Sequence, residues 1–377
     1  MDFCFSKDFL GTSNHLVVSN RKVLRSSSIP DTAWCSGYKN IPACVDELCQ
    51  IYNIDSPKIY TSVEAKTFSS LGRDISSVPW SQVLGFEECI KRLIDISRRL
   101  ELMFESTFNE KYVDIYISSR RVLERLDYSI VDPVKLAEFI KNESNSSLKT
   151  CLKTFRPSRD CTLARPVYSQ SVTSTGRLTV LDGPSILTLP QRYRSIIQSR
   201  FLRGKVLSID FKSLEPRVAL AVQNKTAPDD VYTHVSQNIL SGSANRKVSK
   251  LATIASLYGT SFGKFREMSG CKDPQVLHAV REFFGVTRLI KRLDTNQFVN
   301  HFGRPLDNST PSHRRISHYV QSTSCDVVNC AFGEFLDEFP RKHVVPLFLL
   351  HDALVIDVDE SYIEQVRKKA SEGLQTM

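Results

Sequence analysis

An α+β fold is predicted by three features of this 377-residue chain. The stretch "QVLGFEECIKRLIDISRRLELMF", between Trp80 and about Phe108, repeats apolar residues every three or four positions and reads as a long amphipathic helix. "VVPLFLLHDALVIDV", 344–358, sets two apolar runs on either side of a His-Asp pair, the pattern of a β-hairpin with a polar tip. From residue 165 onward strand-like and helix-like segments alternate, and the charged motifs gather in 165–360.

Composition bounds the rest. The length allows two or three domains with a sizeable core, and 41% apolar with 24% charged residues is ordinary for a globular protein. The longest apolar run, Val344 to Leu350, is far too short to span a bilayer. "MDFCFSKDFLGT" has no basic region followed by an apolar one. A soluble, intracellular protein with no membrane partner is therefore expected. A net charge of +9 suits a polyanionic partner without establishing one. The ten cysteines include no C-x-x-C, and the closest pairs, Cys44/Cys49 and Cys325/Cys330, lack a His at ligand spacing. Reduced, mostly buried thiols are expected.

Taken in order, "NHLVVSN" and "PKIYTSV" are strand candidates and "IPACVDELCQIY" is a short helix. After the long helix, "DYSIVDPVKLAEFIKNES" reads as a turn and a helix with Asp132 as N-cap and Pro133 in the first position. "KNESNSSLKT" is a polar break, a loop tip or an internal boundary. In "TSTGRLTVLDGPSILTLP", 173–190, Thr175-Gly176 suggests a turn presenting Arg177, and Pro184 and Pro190 limit the next segment to extended forms. "KVLSI" is a strand that delivers Asp210. "LEPRVALAV" is a helix with Pro216 in its first turn, carrying Glu215 and Arg217 within an apolar segment. Charges in such surroundings cost stability unless a metal, a ligand or one another meets them.

In "NRKVSKLATIASLYGTS", 245–261, Arg246, Lys250, Ile254 and Tyr258 fall four residues apart. Four residues turn a helix by about 400°, so all four lie along one slowly drifting face. For Arg246 and Lys250 alone a solvated basic face is the ordinary reading, and a His-Asp pair in a turn is ordinary by itself. The functional alternative is a helix that grips a triphosphate with its cations and a base with its Tyr end.

In combination these segments resemble, in order and approximate spacing, the motifs of the family A (DNA polymerase I-like) DNA polymerases. Residues 173–190 look like the T-x-T-G-R-L element, 210–217 like motif A (D-Y-S-x-[IL]-E-x-R), 246–259 like motif B (R-x3-K-x3-F-x3-Y-G) and 350–353 like motif C (V-H-D-E). "SHYVQSTSCD", 317–326, is similar to the N-x-x-x-Q-x-T-x-x-D element that precedes motif C. The resemblance covers roughly 165–360. It implies a right-hand fold with an antiparallel palm sheet (166–221 and 301–377), helical fingers (222–300) and a reduced thumb with pre-palm helices (111–165). Residues 1–110 would be a docking domain or an exonuclease remnant.

The implied chemistry is primer extension with dNTPs on a primed DNA template, using two Mg²⁺ ions for which Mn²⁺ can substitute. Asp210 and Asp352, with the backbone of Phe211, would hold the metals. Two hard cations with oxygen ligands suit in-line phosphoryl transfer. Arg246, Lys250, Ile254 and Tyr258 would form the nucleotide site, with Glu215 a steric gate against a ribose 2′-hydroxyl and Arg217 a brace. Arg177, Gln321, His351, Ser317 and Gly259 would meet DNA.

The chain departs from the family in several places. Ile254 stands where motif B is aromatic, and Ala353 where motif C carries Glu. Ser317 replaces Asn, and Tyr232 stands where many members carry His. "LERLDYSIVDP" resembles the segment before the thumb, yet only about forty residues separate it from Arg177. A short thumb implies low processivity unless a processivity factor, helicase or primase assists. Residues 1–110 contain no Asp-x-Glu, so no proofreading is expected. The compact layout suggests a viral, phage or plasmid member. A phage-type RNA polymerase is the nearest alternative, disfavoured by Glu215. A catalytically inactive nucleic-acid-binding replication factor is the other, disfavoured by retention of both aspartates with Arg246 and Lys250.

Overall fold

The structure, a computed structural model, describes residues 1–75 and 78–373. It comprises two compact units, Met1–Glu124 and Arg125–Met377. The division falls near the end of the helix Glu110–Arg125.

The first unit has a four-stranded sheet in the order Lys22–Ser26, His15–Ser19, Phe3–Phe5, Trp34–Ser36; only the last pair is parallel. Tyr112, Tyr116 and Leu123 of the 110–125 helix are fully buried. On the same helix, the Arg120 guanidinium is buried against Glu47 and donates to the Ile41 carbonyl at 2.7 Å. Such a pair is tolerated because both charges are matched by partners, as buried ions must be. "NHLVVSN" is a strand here, but "PKIYTSV" is not. Thr61 and Glu64 form a reciprocal capping box that starts the helix Ser62–Ser70. Two satisfied backbone donors outweigh the strand preference of Ile, Tyr and Val. The long helix is also interrupted: Trp80–Val83 ends at an extended Leu84, and Gly85 then caps Phe86–Ser106.

The second unit holds the predicted hairpin. Val344–Leu350 and Ala353–Val358 are buried along their whole lengths, and Lys205–Asp210 joins the second strand to complete a three-stranded antiparallel sheet. Leu350 pairs with Ala353, so the loop is two residues, His351 and Asp352. Such loops favour left-handed backbone, and His351 takes φ of +56°. Pro346, which has no N–H, lies in an edge strand where the register shifts before Phe348. Tyr168 closes the same edge, its hydroxyl donating to the Leu349 carbonyl at 2.9 Å and accepting from the Leu349 N–H at 3.0 Å.

Asp132 caps Pro133–Asn142 as expected. The strand Ser129–Val131 precedes it, where a turn was expected. The polar break shrinks to Glu143–Asn145, because Asn145 caps a second helix, Ser146–Lys153. After Pro184 the chain forms 3-10 turns, Ile186–Thr188 and Gln191–Ile196, rather than extended segments. Proline restricts its own φ and the residue before it, leaving the residues after it free to turn. The 26-residue helix Ser312–Asp337 is mostly buried, and Phe332 packs its ring 5.4 Å from that of Phe211. All ten cysteines are free thiols, seven of them buried. No helix among the described residues is long and apolar enough to cross a membrane.

Tyr168→Phe removes a hydroxyl that satisfies two backbone groups of a buried strand. It should destabilise the protein by about 1–3 kcal/mol in denaturant unfolding; an unchanged midpoint would mean that the edge is satisfied in another way.

Candidate active site

The sheet register assembles the first part of the site. Asp210 ends its strand opposite Ala353, next to Asp352 in the hairpin loop, and the Phe211 N–H donates to the Asp352 carbonyl at 3.2 Å. Two carboxylates thus share one end of the sheet. Burial, and then the charge of Asp352, push the Asp210 carboxyl above its ordinary range. Among the described residues no group of three or more His, Cys, Asp or Glu gathers to hold a metal. The donor set is two carboxylates. That suits a hard dication which takes its remaining ligands from other oxygen donors.

The second part is a polar chain across four elements. Arg177 follows Gly176, whose φ is +74°. Its guanidinium donates to Glu215 Oε1 at 2.6 Å. Tyr258, at the end of the helix Arg246–Leu257, donates to Glu215 Oε2 at 2.7 Å, and Gln321 donates to the Tyr258 hydroxyl at 2.6 Å. Burial, then the Glu215 carboxylate, push the Tyr258 phenol up to about 12. Partial burial opposes the charge of Arg177, yet Glu215 holds it above its usual range. The His351 imidazole is held below its usual range by burial and by the Arg177 charge. Arg177, Glu215, Gln321, Cys325, His351 and Asp352 all line one cleft of about 180 Å³.

The third part is the 246–257 helix, capped by Asn245. Its small residues Ser249, Ala252, Thr253 and Ser256 face inward, leaving Arg246 and Lys250 exposed and Ile254 and Tyr258 half-buried along the other side. Arg246 reaches Asp230 at 3.1 Å, and both Arg246 and Lys250 lie over the Tyr232 ring, at 5.4 and 5.6 Å. Burial works against ionisation of Asp230, but hydrogen bonds from Thr233 and Arg246 hold its carboxyl at about 2. Gly259, with φ of +67°, lies against the His313 carbonyl, where a Cβ would collide.

Arg217 donates to the Lys212 carbonyl at 2.9 Å and the Asp229 carbonyl at 2.6 Å, tying the turn after Asp210 to the loop that follows the helix Leu214–Ala221. Ser317 is not brought to the cleft. It is buried, and its hydroxyl bonds back to the Arg314 carbonyl of its own helix at 2.7 Å. Two residues, Asp230 and Arg304, escaped the sequence reading, and a third, Asp326, entered it only as the last residue of the 317–326 element. Asp230 reads only as a helix cap. Arg304 is buried beneath Gly176, where an added Cβ would lie 2.6 Å from its guanidinium carbon, and it donates to the Gln170 carbonyl at 2.6 Å. Asp326 is buried against Asn300, which donates to it at 2.6 Å. Burial raises its carboxyl to about 6, although Arg304 and Asn300 pull the other way.

Asp326 generates a pH dependence. Between about pH 4 and 6 the folded protein keeps a proton that the unfolded chain has lost, so Asp326 makes stability fall as pH rises through that window. Asp326→Asn should flatten this part of the stability–pH curve. A difference between wild type and variant that does not change from pH 4 to 6 would refute the assignment.

No protein-family model matches the chain. No curated protein matches it in sequence. In fold it is similar to the solved polymerase domain of Pol1 from M. smegmatis, a structure in complex with DNA primer-template and dNTP. The TM-score is 0.60 at 12% identity, over 86% of this chain and 77% of that one. The likeness is to a bacterial polymerase domain and lends nothing to the viral, phage or plasmid assignment. The chain has a polymerase-domain-like α+β fold.

Proposed function

We propose that the protein is a template-directed DNA polymerase of the family A kind, extending a primer 3′-hydroxyl with dNTPs. The observation that carries this reading is the meeting of Asp210 and Asp352 at one sheet end, in a fold similar to a polymerase domain. The Arg177–Glu215–Tyr258–Gln321 chain and the cationic helix are the further support.

Asp210 and Asp352 would hold Mg²⁺, or Mn²⁺ in its place, with the Phe211 backbone beside them. When bound, two such ions supply electrostatic stabilisation of both the attacking and the leaving oxygens. The chain's own residues do the positioning, which is most of what phosphoryl transfer asks of a protein. Arg246 and Lys250 offer charge to a triphosphate. Tyr258 and Ile254 offer a half-buried surface to a sugar and base. Glu215 is held from two sides, so its carboxylate is a fixed obstacle where a 2′-hydroxyl would enter; this is the physical requirement of a steric gate. Arg177, Gln321 and His351 present polar groups to a primer terminus, with Gly259 allowing close helix approach.

On this reading 166–221 and 301–377 are palm, 222–300 fingers, and 111–165 a small thumb region whose helices Pro133–Asn142 and Ser146–Lys153 are short. A short thumb grips duplex weakly, which predicts low processivity and a processivity factor, helicase or primase as partner. Proofreading is not expected.

Primer extension on a short primed DNA with Mg²⁺, under a trap that limits each binding event, tests the proposal. Extension with dNTPs alone, by few nucleotides per encounter, is the expected result. Use of NTPs would move the chain to the RNA polymerases, and primed-template binding with no extension to a non-catalytic factor. Asp210→Ala should cut synthesis by about 10³-fold or more, several kcal/mol of transition-state stabilisation, while leaving DNA binding largely intact. Glu215→Ala should admit ribonucleotides that the wild type rejects; unchanged sugar selectivity would remove Glu215 from that role.

A further inference from the structure

Lys212 lies two residues beyond Asp210, in the turn that leads from the 205–210 strand into the helix Leu214–Ala221. The backbone there is pinned. Arg217 holds the Lys212 carbonyl at 2.9 Å, and Ser213 takes a left-handed φ of +57°. The side chain, 61% exposed, reaches toward Asp230, with its ammonium 4.0 Å from Oδ2. Arg246 reaches the same carboxylate at 3.1 Å from the other side. Lys250 closes the group, sharing the Tyr232 ring face with Arg246.

Two cations from two separate elements therefore share a single carboxylate, with Lys250 beside Arg246 over the Tyr232 ring. One Asp cannot neutralise two cations, and neither of its ion pairs is buried, so each exchanges readily for a stronger anion. A di- or triphosphate carries enough charge and enough acceptor oxygens to replace Asp230 against both and to reach Lys250 as well. Asp230 cannot leave with the anion. Its carboxylate also caps the helix Val231–His234, accepting from the N–H groups of Tyr232 and Thr233. It thus remains as a fixed competitor for Lys212 and Arg246.

We propose that Lys212 is a third phosphate-binding cation of the nucleotide site, and that Asp230 holds Lys212 and Arg246 in place and yields them when a polyphosphate arrives. This rests on the polymerase reading for the identity of the substrate, but not for the binding itself. Lys212 binds the phosphates; Asp230 is a positioning residue that sets how readily the cations are released.

The test measures inorganic tripolyphosphate binding to the full chain by calorimetry at low salt, with no primer or nucleotide present. Lys212→Gln should weaken binding about 10-fold, the scale of one charge-assisted contact, and Lys212→Arg should restore most of it. Asp230→Asn keeps a capping side chain and removes the competing charge, so it should tighten binding severalfold. Lys141→Gln, on an exposed helix remote in sequence, controls for net charge. Loss in Lys212→Gln no greater than in Lys141→Gln would overturn the assignment of Lys212, and weaker binding in Asp230→Asn would overturn that of Asp230. In primer extension Lys212→Gln should raise the KM for dNTP more than it lowers kcat; an unchanged KM would also overturn the proposal while leaving the polymerase reading intact. Lys212-dependent tripolyphosphate binding by a chain that extends no primer would do the reverse, upholding the phosphate site and removing the polymerase reading.

Discussion

The arrangement of this molecule turns on the register of one small sheet. Lys205–Asp210 pairs antiparallel with Ala353–Val358, which returns from a two-residue loop, and this brings Asp210 beside Asp352 although the two are far apart in sequence. Holding two carboxylates together is unfavourable, and the Asp210 carboxyl is raised first by burial and then by the charge of Asp352. The strands beneath supply the compensation. Both hairpin strands are wholly buried, Tyr168 satisfies the edge, and Asp357 near the far end accepts hydrogen bonds from Ser199 and the Arg200 N–H at 2.5 and 2.8 Å. A slip of one residue would move Asp210 to the opposite face, away from Asp352. The register that pairs the strands therefore also sets the spacing of the carboxylates.

Around that pair, side chains are held by networks rather than by single contacts. Glu215 receives Arg177 and Tyr258, and Tyr258 receives Gln321, so the loop, two helices and the long 312–337 helix converge on one carboxylate. The layer below is buried and polar: Arg304 fills the space under Gly176, and Asn300 donates to Asp326. Buried polar groups of this kind are costly when incomplete and rigid when satisfied. Arg304 backs the Gly176 turn that presents Arg177.

The cationic side of the site works differently. Arg246, Lys250 and Lys212 are exposed, and their partners are one carboxylate and one aromatic face. Exposed ion pairs contribute little to stability, so this side can rearrange around an anion at small cost. Fixed carboxylates together with cations free to rearrange are what the proposed polymerase reading asks for.

The local pattern of the chain alone determined much of this. Apolar runs about His351-Asp352 specified a hairpin, four-residue spacing put Arg246, Lys250, Ile254 and Tyr258 on one helical face, and Asp132-Pro133 started a helix, because these features depend on neighbours in sequence. Local readings failed where a competing local signal was overlooked, as with the capping box at Thr61 that turned "PKIYTSV" away from a strand. Only the tertiary structure decided that Ser317 turns into its own helix, that Arg304 lies beneath Gly176, that Asp326 is buried against Asn300, and that Asp230 stands between Lys212 and Arg246. Periodicity and caps are written in adjacent residues. An ion pair or a buried hydrogen bond between distant segments arises from strand register and helix packing, and no short stretch of sequence contains it.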